Sequence, residues 1–168
     1  MTISQSLLGE LDHESAGTRK TLERLPSGQF DFRPHPKSPT MGWLAGHIAG
    51  LAHWGAMTCT TQSLDLAAPE HQRRPAEPTT AQEALDRFNQ ETAKFRAALE
   101  QVTDAQMMEP WTLKLGDRIF FTMPRAAVLR GMVFNHAVHH RAQLTVYLRM
   151  NGVPVPALYG PSADENNF

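Results

Sequence analysis

Cysteine is almost missing from this chain. Cys59 is the single one in 168 residues, so no disulfide can form within the chain, and a reducing compartment fits. Net charge is nearly missing too. Sixteen Lys and Arg stand against 17 Asp and Glu, for a formal charge of −1, and no basic cluster disturbs the balance. That argues against a nucleic-acid or anionic-membrane surface, and no nucleic-acid partner is expected. No apolar run approaches the roughly 20 residues of a membrane span. The N-terminus, Met1-Thr2-Ile3-Ser4-Gln5, lacks the basic and apolar regions of a secretion signal, so a cytoplasmic protein is expected. There is no internal repeat and no low-complexity segment. What is present, 41% hydrophobic and 20% charged residues, describes an ordinary globule. A chain of this length buries roughly 70% of its unfolded surface and needs no disulfide or metal merely to fold. One domain over 1–168 is expected.

Helical periodicity carries most of the remaining information. Leu7, Leu11, Thr18, Leu22 and Leu25 share a face of a first helix over about 3–25, with Ser4 as candidate N-cap. Pro26-Ser27-Gly28 stops it, and the three prolines between Phe30 and Pro39 give an ordered loop. A second helix runs from about Thr40 to about Thr61. One of its faces carries Gly42, Ala45, Gly46, Ala49, Ala52 and Ala56, a run that suits close approach by another helix, in the same subunit or across a dimer two-fold. Residues 63–78 show no period and read as a long crossover. Thr80 and Glu83 form a capping-box signal for a third helix striped by Leu85, Phe88, Thr92, Phe95, Leu99 and Val102. Trp111–Leu115, Gly116-Asp117 and Arg118–Thr122 suggest a hairpin or extended flap. Thr122 and Pro124 open a fourth helix that ends near Met150 at Asn151-Gly152. The proline-rich tail after it is expected to lie along the helices. The fold class is therefore all-α, a four-helix bundle with long crossover connections.

The chemistry concentrates in Asn135-His136-Ala137-Val138-His139-His140-Arg141-Ala142-Gln143-Leu144. Stepping about 100° per residue from Leu129, His136 and His140 fall in the middle of an apolar arc with Met132, Val133, Leu144 and Tyr147. His139 falls at its edge and Arg141 well outside, where a salt bridge is expected. On the second helix His47 shares an arc with Trp43, Leu44, Leu51, Trp54 and Thr58, and His53 points the other way. Three neutral imidazoles, with no thiolate or carboxylate in the same arcs, suit a divalent transition metal. Zn²⁺ or Ni²⁺ come first, with Fe²⁺ or Cu²⁺ as alternatives, and the sequence does not choose among them. Three protein ligands leave coordination positions free, as catalytic sites do, and such an ion lowers the pKa of water or of a thiol. Asn135, His139 and Gln143 are candidates for holding the ligand rings by hydrogen bonds. For Gln143, satisfying backbone at the helix interface is the alternative. Cys59 has no cation at helical spacing and reads as a buried bystander.

Two stretches carry a family resemblance. Phe32-Arg33-Pro34-His35-Pro36-Lys37-Ser38 followed by Gly42-Trp43-Leu44-Ala45-Gly46-His47-Ile48 resembles the start of helix two in the DinB family. Asn135-His136-x-x-His139-His140-Arg141-x-Gln143-Leu144 resembles that family's second ligand motif, with Ala142 where glycine is common. The tail Pro154-Val155-Pro156 with Tyr159–Asp164 is similar to that of one subgroup. The resemblance implies an up-down-down-up bundle, a homodimer, and a metal held by His47, His136 and His140. It also implies kinship with thiol-dependent S-transferases and isomerases, so a small electrophilic substrate and a low-molecular-weight thiol are expected. The competing reading is a non-catalytic, metal-binding, stress-associated dimer.

Overall fold

The computed structural model describes residues 1–72 and 75–166. Its helices are α1 (Ile3–Leu22), α2 (Met41–Thr60), the single turn α3 (Pro69–Gln72), α4 (Ala81–Leu99), α5 (Asp104–Met108), α6 (Arg125–Val128) and α7 (His136–Met150). Between α6 and α7 the chain is π-helical, from Leu129 to Asn135. α2 packs on α4 and α7, and α1 packs on the same two helices, so the apolar stripes of all four meet in a shared interior.

Hydroxyl caps set the starts of the long helices. Thr40 Oγ1 accepts from the Trp43 amide and Thr80 Oγ1 from the Glu83 amide, satisfying donors that have no partner inside a helix. At α1 the cap is Thr2, in a capping box with Gln5. The expected cap, Ser4, is instead buried and donates to the Val102 carbonyl at 2.5 Å. α7 closes at Asn151, with Gly152 at φ +70°, a conformation that only glycine adopts without strain.

An all-α fold is corrected by a three-stranded sheet: β1 (Ser63–Asp65), β2 (Pro110–Leu115) and β3 (Arg118–Pro124), in that order. β2 and β3 form the expected hairpin about Gly116, antiparallel, with Thr112 opposite Thr122. Thr122 therefore belongs to a strand, its hydroxyl 2.9 Å from that of Thr112, and does not cap a helix. β1 pairs parallel to β2, Leu64 beside Leu113. Three residues in a proline-flanked crossover are too few to show an alternating pattern, which is why β1 escapes a sequence reading.

Two anchors fix the sheet to the helices. Trp111, 1% exposed, donates its indole N–H to Thr61 Oγ1 at 3.2 Å and packs in the cluster that includes Trp54, Val128 and Met132. Arg125 is buried and donates to the carbonyls of Thr58, Thr61 and Gln106 and to the carboxylate of Glu109. A guanidinium at the end of α2 both satisfies its last carbonyls and opposes their partial negative charge.

The small-residue face of α2 is taken up within the subunit. A Cβ at Gly46 would lie 2.7 Å from Pro78 Cδ, and one at Gly55 would lie 2.7 Å from the Phe95 ring, so α4 and its approach lie against bare backbone. The tail lies along the helices, with Ala157 buried and Glu165 and Asp164 paired to Arg24 and Arg149.

Candidate metal centre

His47 stands on the regular turns of α2, two turns after the Thr40 cap that sets its phase. His136 and His140 stand one turn apart at the start of α7, so they share a face. The contact between α2 and α7 brings the three rings together. One ring nitrogen from each lies within 4.8 Å of the others, and His47 Nε2 is 3.2 Å from His136 Nε2. Ring centroids are 4.9, 4.6 and 4.7 Å apart for the pairs 47–136, 47–140 and 136–140. Trp43 stacks on His47 at 4.7 Å and 16°, and meets His140 edge-on at 6.2 Å.

Hydrogen bonds orient two of the rings. His136 Nδ1 lies 3.3 Å from the Met132 carbonyl, and His140 Nδ1 lies 2.7 Å from Gln143 Oε1. Both acceptors call for a proton on Nδ1, which leaves each Nε2 with an exposed lone pair. Gln143 also offers its amide nitrogen to His139 Nε2 at 3.2 Å. His139 is exposed, and its ring is 4.8 Å from that of His140. Asn135 stays apart from the cluster: it is exposed, with Oδ1 3.5 Å from Arg130, and it holds no ligand ring.

All three rings of the cluster are tuned toward the neutral form. Burial, then the neighbouring His140 and His136 and the charge of Arg87, lower the His47 pKa to about 4. Burial also lowers those of His136 and His140, opposed in part by the Met132 carbonyl and by Gln143 respectively. Neutral imidazole is the form that binds a metal. In tetrahedral coordination with bonds of roughly 2.1 Å, two nitrogens on one zinc ion stand about 3.4 Å apart. His47 Nε2 and His136 Nε2 are already near that spacing at 3.2 Å, the remaining nitrogens lie within 4.8 Å, and the donor set fits a divalent ion.

The rings are not in the centre of the helical interior. All three are half-buried where α2 meets α7, while Arg141 is 2% exposed. The π-helical segment explains the reversal. An i→i+5 turn holds roughly one residue more than an α turn, so everything after it is rotated by about 100° from a steady α count. Arg141 swings in and the histidines swing toward the partly exposed side. Arg141 donates to the Glu14 carbonyl at 2.9 Å, to Thr18 Oγ1 at 3.2 Å and to Glu14 Oε2 at 2.6 Å, and pairs with the Tyr159 hydroxyl. Tyr159 donates in turn to Glu14 Oε2 at 2.7 Å. The expected salt bridge of Arg141 is present, but inside the protein.

Cys59 is half-buried, and burial pushes its thiol up to about 12 despite the nearby Arg125 charge. Among the described residues no helix is long and apolar enough to cross a membrane.

The fold and site define a class: a mostly helical protein with a small sheet and a three-histidine cluster between two helices. The DinB family profile matches residues 2–167, and the chain belongs to that family. It is 31% identical over 162 residues to the uncharacterized protein YrdA of Bacillus subtilis, covering 92% of this chain and 86% of that one. Two solved structures have the same fold. A DinB-like protein from Bacillus cereus superposes with a TM-score of 0.71 at 24% identity, over 92% of this chain and 97% of that one. The DinB-like protein YjoA from Bacillus subtilis gives 0.70 at 18%, over 97% and 99%.

Proposed function

We propose that this protein is a divalent-metal-dependent enzyme in which His47, His136 and His140 hold the ion, and which transfers a thiol, or adds water, to a small electrophile. The observation that carries the reading is three half-buried imidazoles from two separate helices, with ring nitrogens inside 4.8 Å. A bound divalent ion supplies Lewis acidity there and draws the pKa of a thiol or water toward neutrality.

The chain's own residues do the rest. The Met132 carbonyl and Gln143 hold two rings with Nε2 free, and Trp43 backs the third. The half-buried rings leave a side of the cluster for a small molecule. No carboxylate belongs to the cluster to take a proton from water, which favours a thiol over water as nucleophile. Zinc or nickel suits the donors best. The accompanying expectations are one DinB-like domain over 1–168 with the family's up-down-down-up bundle, a homodimer, and a cytoplasmic setting.

Metal analysis of untagged protein tests the ligand set: about one ion per chain in the wild type and none in His140→Ala, with undiminished metal in the variant excluding the assignment. Conjugation of a chromogenic electrophile with several small thiols then tests turnover. Failure with every thiol, and with ester and amide substrates, would leave a metal-holding protein without catalysis. Light scattering at micromolar concentration reads the assembly.

A further inference from the structure

The three-histidine cluster has a cationic neighbour that the reading above does not use. Arg87, on α4, crosses to α2 and lies on bare backbone there. A Cβ at Gly50 would be 2.4 Å from Arg87 Nη2, and one at Gly46 would be 3.8 Å from Nη1. Gly50 follows His47 by three residues and Gly46 precedes it by one, so the guanidinium rests on the turn that carries His47. Its charge is among those that act on that imidazole.

This guanidinium has no partner among the described residues: it makes neither a hydrogen bond nor an ion pair. The charge that acts on it is Glu91, one turn further along α4, and burial outweighs that pull. Glu91 is engaged through Oε1, 2.7 Å from Lys94, while its Oε2, 3.3 Å from His53 Nδ1, accepts no hydrogen bond, and neither oxygen pairs with Arg87. A half-buried guanidinium held in a fitted seat, with no acceptor, is a group waiting for one. A divalent ion held by three neutral imidazoles would keep its full charge, and together with Arg87 would make the field at the cluster positive twice over.

We propose that Arg87 recognises an anionic oxygen group, of the carboxylate kind, on the small molecule that docks at the three-histidine centre. This rests on the metal-binding reading of that centre. Arg87 selects which molecules dock and how they are turned. Its planar fork matches a carboxylate in two parallel hydrogen bonds, and the metal takes the molecule's other end. Gly50 serves this by leaving room for the fork.

Cobalt-loaded protein tests the inference without relying on turnover. Its absorbance is titrated with mercaptoacetate and with mercaptoethanol, thiols of similar size that differ in charge. Wild type is expected to bind mercaptoacetate about tenfold or more tightly than mercaptoethanol. Arg87→Gln is expected to erase that preference while keeping cobalt stoichiometry and the mercaptoethanol affinity, and Arg87→Lys to restore part of it. Gly50→Ala, which displaces the guanidinium and keeps its charge, is expected to weaken the preference and covers the case in which Arg87→Gln does not fold. A wild type with no preference, or an Arg87→Gln variant that retains it, overturns the inference alone. Failure of wild type to take up cobalt overturns the reading of the centre, and this inference with it.

Discussion

His140 Nδ1 and Gln143 Oε1 lie 2.7 Å apart, and the amide nitrogen of the same Gln143 lies 3.2 Å from His139. One side chain thus steadies two imidazoles and sets the tautomer of the one in the cluster. Hydrogen bonds of this kind to a metal-binding histidine are worth about 10–100-fold in affinity. Gln143→Ala is expected to lose about that much zinc affinity, read by competition with a chromogenic chelator. Because Gln143 is exposed, the metal-free variant should melt close to wild type. Unchanged affinity would leave Gln143 with no part in holding His140.

Metal removal has a thermal signature. An ion that binds only the folded chain adds about 2.7 kcal/mol when its concentration is 100 times Kd. In a chain of this size that raises Tm by about 5–10 °C. Wild type treated with a chelator should lose that increment and regain it with zinc, and His47→Ala should show neither change. Equal zinc-induced shifts in both proteins would mean that the ion sits elsewhere.

The histidine cluster was legible because both of its halves are locally regular. His136 and His140 are four residues apart within α7 itself, and Thr40 sets the phase of His47 on α2. Their depth was not legible, since the count that reached them crossed Leu129–Asn135, and no residue there announces a π turn. Arg141 was misjudged for the same reason. Arg125 and Arg87 escaped because their meaning lies in distant backbone: carbonyls at the end of α2 for one, bare glycines for the other. The hairpin showed itself through Gly116-Asp117 between two β-rich runs, while β1 was too short to do so.

Glu14→Gln tests the interior ion pair. Arg141 is 2% exposed and its carboxylate partner comes from α1. Removing one member of such a pair strands a charge and costs about 3–5 kcal/mol. Urea unfolding should show a loss of that order. Replacing both residues by Met should cost less than the two single changes combined, since no charge is then left unpaired. Strict additivity would mean that the two groups do not interact.

Cys59 gives a pH prediction. Its pKa is raised from 9.0 to about 12, so the native thiol stays protonated where a free one ionises. Folding stability gained from this is complete below about pH 9 and is lost as pH rises toward 12. At pH 8.5 a thiolate-specific reagent should modify native Cys59 roughly a thousandfold more slowly than it modifies free cysteine. Unfolding in urea should abolish the protection. Rapid labelling of the native protein at that pH would contradict the burial.

The π-helical segment itself can be tested by removing one residue from it. Gly131 is exposed, and a Cβ there would meet nothing within 4 Å, so its side is open. Deleting it lets the segment tighten to an α-helix and turns α7 by about 100° relative to β3. His136 and His140 would then leave the side that faces His47, and Arg141 would leave Glu14. The expected result is far-ultraviolet circular dichroism within a turn of wild type, zinc binding reduced below detection, and a stability loss of about 3–5 kcal/mol from the broken ion pair. Gly131→Ala keeps the residue count and serves as the control: it should bind zinc as wild type does and be slightly more stable, by up to about 1 kcal/mol of helix propensity. A deletion variant that bound zinc like its parent would show that the extra residue does not set the register of the two histidines.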